Sequence, residues 1–177
     1  MIRFGSVLLV ALAPFAFAAE DKKDEKKVAP FAPKDGRFSV AFPDKPTEKT
    51  NKIATAGGEV AVYIFTVDQK DKALIVTYSD YPAGSVDADA EKVLTGVIDG
   101  NAKSLKGKVT ANEKLTVGKK NHPGREVRIE FGEKKQVYRA RVYLVGARLY
   151  QVVALGSEEF AKSKAVDDYL KSFALVE

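Results

Sequence analysis

The spacing of apolar residues changes twice along this chain, and no other feature limits the fold as much. Apolar side chains recur at every second position from Phe38 to Tyr81. They recur at every third or fourth from Ala90 to Leu105, and at every second again from Lys108 to Leu155. Period two belongs to strands lying on a core, and a period near 3.6 to a helix with one apolar face. Phe38, Val40 and Phe42 open the first set, and Pro43-Asp44-Lys45-Pro46 stops it. Thr47 to Ala54 is polar and lysine-bearing, as an exposed edge strand is. Gly57-Gly58 turns the chain into Glu59 to Val67, where Val60, Val62 and Ile64 share one face and Tyr63, Phe65 and Val67 the other. Two apolar faces predict a central strand covered on each side. Asp68 to Asp71 leads back into Lys72 to Tyr81.

In the helical stretch, Val93, Leu94, Val97, Ile98 and Leu105 share a face, with Asp87 as N-cap and Gly107 as the stop. Further strands are expected at Lys108 to Val117, Arg125 to Phe131, Val137 to Val145 and Arg148 to Leu155. A closing helix from Ser157 to Phe173 buries Val166, Tyr169, Leu170 and Phe173. The class is therefore α+β: one antiparallel sheet of about six to eight strands with two main helices, in the order ββββαββββα. A single domain is expected over residues 36–177.

The first 35 residues do not join that pattern. Arg3 precedes an apolar stretch from Phe4 to Phe17, and Ala16-Phe17-Ala18 offers small residues around a cleavage point. These are the parts of a signal peptide over residues 1–18, and the stretch is shorter than the roughly 20 residues a spanning helix needs. The competing reading is an uncleaved anchor. Export to the periplasm or outside the cell follows, with no membrane span once the segment is removed. Glu20 to Lys27 carries four charges of each sign before Ala29-Pro30-Phe31-Ala32-Pro33. Lacking apolar periodicity, residues 19–35 are expected to be a disordered linker.

Composition removes several kinds of chemistry. The 177 residues include no cysteine, which excludes disulfides, thiolate metal sites and thiol nucleophiles. The formal net charge of +5 mixes 29 basic with 24 acidic residues, which argues for mild attraction to anions rather than nucleic-acid binding. His122, the only histidine, lies in Asn121-His122-Pro123-Gly124 and reads as a solvated turn residue with no cluster of metal ligands. No Gly-x-Ser-x-Gly elbow and no P-loop occurs. Asp87, Asp89 and Glu91 open a helix, where carboxylates favour the positive end, and Asp167-Asp168 reads as solvated. No catalytic residue, metal site or cofactor is expected.

Matching apolar faces registers two hairpins. In the first, Phe131 falls opposite Tyr138 and Glu130 opposite Arg139; in the second, Gly146-Ala147 forms a two-residue turn that sets Tyr143 opposite Tyr150. Arg128, Arg139, Arg141, Tyr143 and Tyr150 then share one sheet face. Arginine forks grip carboxylates or phosphates and tyrosines offer amphipathic contact area, so these five are the candidate binding residues. The alternative is that helices cover this face and the arginines pair with Glu126 and Glu130.

The run Gly36-Arg37-Phe38-Ser39-Val40-Ala41-Phe42-Pro43-Asp44-Lys45-Pro46, with Ser172-Phe173 ending the last helix, resembles exported bacterial proteins related to the PsbP-like fold. The resemblance implies an antiparallel sheet sandwiched between helices and a non-enzymatic accessory or binding role. It carries no residue set across. The expected function is a non-catalytic exported module, monomeric, that recognises a protein or anionic ligand in the envelope. Two alternatives stay open: a small hydrolase or lyase using carboxylates or His122, and a structural envelope protein.

Overall fold

The computed structural model describes residues 29–55, 58–82, 84, 89–133 and 135–176. The expected signal segment, the charged part of the expected linker up to residue 28, Gly57 and the expected cap Asp87 lie outside the described residues. Strands β1 (Phe38–Ser39), β2 (Thr47–Thr55), β3 (Gly58–Gln69) and β4 (Lys72–Asp80) precede helix α1 (Ala90–Leu105). Then come β5 (Lys108–Val117), β6 (His122–Phe131), β7 (Gln136–Val145) and β8 (Arg148–Gly156). The chain closes with α2 (Glu158–Ala161), α3 (Lys164–Lys171) and β9 (Ala174–Leu175).

Seven strands form one antiparallel sheet in the order β2-β3-β4-β8-β7-β6-β5. Tight turns build two meanders, β2 to β4 and β5 to β8, and β4 pairs with β8 to join them. Helix α1 carries the chain from β4 to the far edge at β5. Its Leu94 and Ile98 pack on Val127, Ile129, Ala140 and Val142 of one sheet face. On the other face, Val166, Tyr169 and Leu170 of α3, with Phe173, lie over Val76, Tyr78, Tyr150 and Val152. Each such side chain contributes roughly 1.5–3 kcal/mol on burial. The α+β class, the single antiparallel sheet and the element order are those read from the apolar spacing.

Several boundaries differ from the reading, each for a local reason. The closing helix is two helices, because the Ser163 hydroxyl accepts from the Val166 amide (3.4 Å) and caps a second start. Helix α1 is capped by Asp89, whose carboxylate accepts from the amides of Glu91 and Lys92. His122 is not a turn residue: it opens β6 opposite Val117, half-buried, and the turn lies before it. Strand β3 lies one place in from the edge, and β8 holds the centre.

The β6–β7 register is offset by two residues from the one expected. Ile129, not Phe131, faces Tyr138, and Glu130 faces Val137 while Arg128 faces Arg139. Gly132 (φ 68°) and Lys135 (φ 49°) take left-handed conformations and make the loop tighter than face matching implies. A slip of two leaves every side chain on its expected face. The β7–β8 register, with Tyr143 opposite Tyr150, is as expected, and Gly146 (φ 60°) opens its turn.

The packed body also begins earlier than residue 36. Phe31 exchanges backbone hydrogen bonds with Val40 (2.8 and 3.0 Å), and its ring lies 5.1 Å from that of Phe65. That part of the stretch expected as linker is folded. Strands β1 and β9 then pair with each other as a two-stranded ribbon, Phe38 opposite Leu175.

Candidate functional site

The five residues read as a binding face do share one face, and the structure gives each of them another task. Tyr150 is 1% exposed and its hydroxyl donates to the Gly36 carbonyl at 2.8 Å. Tyr143 is 3% exposed, its ring stacked on Phe173 at 5.3 Å. Burial pushes both phenols above their usual range. Neither can offer contact area to a partner. Arg139 donates to Glu126 (2.7 Å), to Asp167 (2.6 Å) and to the carbonyl of Ala161 (3.0 Å). Arg141 binds the other Glu126 oxygen (2.9 Å) and reaches the carbonyl of Leu170 (3.4 Å). Arg128 pairs with Glu130 and Glu158. The helices cover this face and the arginines rivet them down. Arg128, Arg139, Glu126, Glu113 and Lys162 line a cleft of about 320 Å³ beside α2. An anion entering it must displace a carboxylate from an arginine, leaving that carboxylate unpaired at a cost of about 1–3 kcal/mol or more.

A different concavity has positive charge to spare. At the end of the sheet where β8 begins, a cleft of about 520 Å³ is lined by Arg37, Lys120, His122 and Arg148 around Val145 and Leu175. That volume falls within the range of small-ligand pockets, roughly 300–1,000 Å³. Among the described residues its one lining carboxylate is Asp80. Arg148 holds Asp80 through both oxygens, Nε to Oδ1 at 2.5 Å and Nη2 to Oδ2 at 2.6 Å. The hydrogen bonds to Asp80 hold the Arg148 guanidinium above its already high range, against the opposing effect of burial. Arg148 also donates to the carbonyls of Asp35 (2.8 Å) and Gly36 (3.0 Å), and its guanidinium sits 4.7 Å from the centre of the Tyr78 ring.

Arg148 is therefore a structural clamp, and Asp80 is neutralised by it. Arg37 and Lys120 are exposed, and neither side chain has a hydrogen bond or ion pair among the described residues. The His122 ring is likewise without a hydrogen bond among them. A guanidinium, an ammonium and an imidazole facing one cleft can hold a carboxylate or phosphate. Asp80 shares the cleft with His122, but with both oxygens on Arg148 it is not placed to serve as a base.

Of the five residues expected, only Tyr150 borders this cleft, as part of its buried wall. Sequence reasoning missed Arg37 and Lys120. The run Lys119-Lys120-Asn121-His122 at a turn was the one available signal; Arg37 had none. Among the described residues no group of three or more His, Asp or Glu side chains could hold a metal ion. No described helix is long and apolar enough to cross a membrane.

The chain matches the solution structure of cyanobacterial PsbP (CyanoP) from Synechocystis sp. PCC 6803 with a TM-score of 0.57. The match covers 82% of this chain and 91% of that one at 15% sequence identity. The chain has the PsbP-like fold. A Pseudomonas aeruginosa protein of unknown function matches at a TM-score of 0.42 and 10% identity, over 63% of this chain and 85% of that one. No protein-family model matches the chain, and no curated protein does. At 15% identity the likeness to cyanobacterial PsbP shows the fold alone and assigns no residue a role.

Proposed function

We propose that the chain is a non-catalytic exported binding module that captures an anionic group in the sheet-end cleft. The observation that carries this reading is the pair of cations, Arg37 and Lys120, with no side-chain hydrogen bond or ion pair among the described residues, in a cleft whose described carboxylate is already taken. The PsbP-like fold supports the reading only as far as a sheet held between helices, which leaves function to the site.

The test is calorimetric titration of the folded domain with glutarate and with inorganic phosphate. Arg37→Ala with Lys120→Ala is expected to weaken binding by at least about tenfold, a loss of 1.4 kcal/mol. Thermal stability should hardly change, because surface charges without partners contribute little to folding. Equal binding by wild type and double variant would refute the assignment, as would NMR shifts centred on Arg128 and Arg139.

Export makes a separate prediction. Protein recovered from the producing bacterium's envelope fraction is expected to begin at Ala19 on N-terminal sequencing. Recovery of chain that retains residues 1–18 in the membrane would favour the anchor instead.

A further inference from the structure

The sheet-end cleft has neighbours. On one side a cleft of about 500 Å³ is lined by Lys34, Pro33 and Phe38, and shares Arg37 and Val176 with it. On the other, one of about 330 Å³ is lined by Val117, Lys119 and Phe173, and shares Leu175. Three concavities with common walls make one groove along the β1–β9 ribbon. Among the described residues, neither flanking cleft has an acidic residue in its wall. The three clefts bring Lys34, Arg37, Lys119 and Lys120 together with apolar surface, including Val176 at 52% exposure. Strand β9 pairs with β1 on one side and, among the described residues, with no strand on the other.

We infer that the ligand is an extended acidic segment of another protein, with carboxylates and apolar side chains in alternation. This rests on the anion-binding reading above. A lone oxyanion uses one cleft and leaves the apolar walls wet. An extended chain advances about 3.3 Å per residue with side chains on alternate sides, so such a segment turns its carboxylates to the cations and its apolar side chains to the apolar wall. Its main chain can add to the open edge of β9, as peptides do at sheet edges.

The probe is a fluorescein-labelled peptide of alternating glutamate and leucine, measured by polarisation on the folded domain beside glutarate. The peptide is expected to bind at least about tenfold more tightly than glutarate. Lys34→Glu, in the flanking cleft, should lower the ratio of peptide to glutarate affinity by about tenfold, and a lysine–leucine peptide should not compete. Glutarate binding with no gain for the peptide, or an unchanged ratio in Lys34→Glu, overturns the extended ligand and leaves the anion site standing. Binding of neither overturns both. Preferential binding to phosphatidylglycerol vesicles, without competition from the peptide, assigns the groove to a membrane surface and overturns the peptide.

Discussion

Phe38→Ala is expected to cost about 3–5 kcal/mol of unfolding free energy, the range for removing a fully buried phenylalanine. Phe38 is 0% exposed. Its ring is surrounded by those of Phe65 (5.9 Å), Tyr78 (6.3 Å), Tyr150 (5.9 Å) and Phe173 (5.5 Å). These rings come from three strands and the C-terminal segment, so no single shift can close the void. The ring also stands on a two-residue strand whose only partner strand among the described residues is β9. Loss of the ring should therefore loosen Arg37 and the cleft as well. Urea unfolding measures the effect. A change under about 1 kcal/mol would show that β1 lies on the core without being part of it, since surface substitutions fall in that range.

Glu126→Gln is expected to cost about 2–3 kcal/mol at neutral pH, somewhat under the 3–5 kcal/mol typical for breaking a fully buried pair. Glu126 is 24% exposed, and one carboxylate serves both Arg139 and Arg141. Those arginines in turn bind main-chain oxygens of α2 and α3, so the loss spreads to the docking of both helices. The pH dependence separates charge from shape. Burial pushes the Glu126 carboxyl up, but hydrogen bonds and charge from Arg139 and Arg141 outweigh it and hold the group below its ordinary 4.5. A carboxyl lowered in the folded state stabilises above its unfolded value, and that contribution is lost as pH falls through the folded one. Asp167, held down chiefly by its hydrogen bond from Arg139, acts in the same direction. The gap between wild type and Glu126→Gln should thus be widest above about pH 5 and shrink toward pH 3. A gap constant across that range would mean the side chain acts by packing alone.

The sheet was legible because alternation fixes which way each side chain points. Arg128, Arg139 and Arg141 do share a face with Tyr143 and Tyr150. Alternation is blind to a slip of two, so the β6–β7 register depended on the loop at Gly132 and Lys135, which apolar matching does not see. Ser163 divides the closing helix with one hydroxyl, too small a signal against the stripe from Val166 to Phe173. What covers a face is a matter of tertiary packing, and the arginine–tyrosine face was misread for that reason. The cleft was harder still. Arg37 and Lys120 sit in separate turns, and only the end of the folded sheet brings them to one wall.

Pairing of Phe38 with Leu175 also carries a kinetic consequence. Synthesis delivers the chain from its N-terminal side, so among the described residues β1 has no strand to join until residue 175 arrives. Loop closure over such a separation comes late and slowly. The α1 side of the sheet can assemble first, while greasy rings on the opposite side wait uncovered. Docking of the last strand is the step that closes over them.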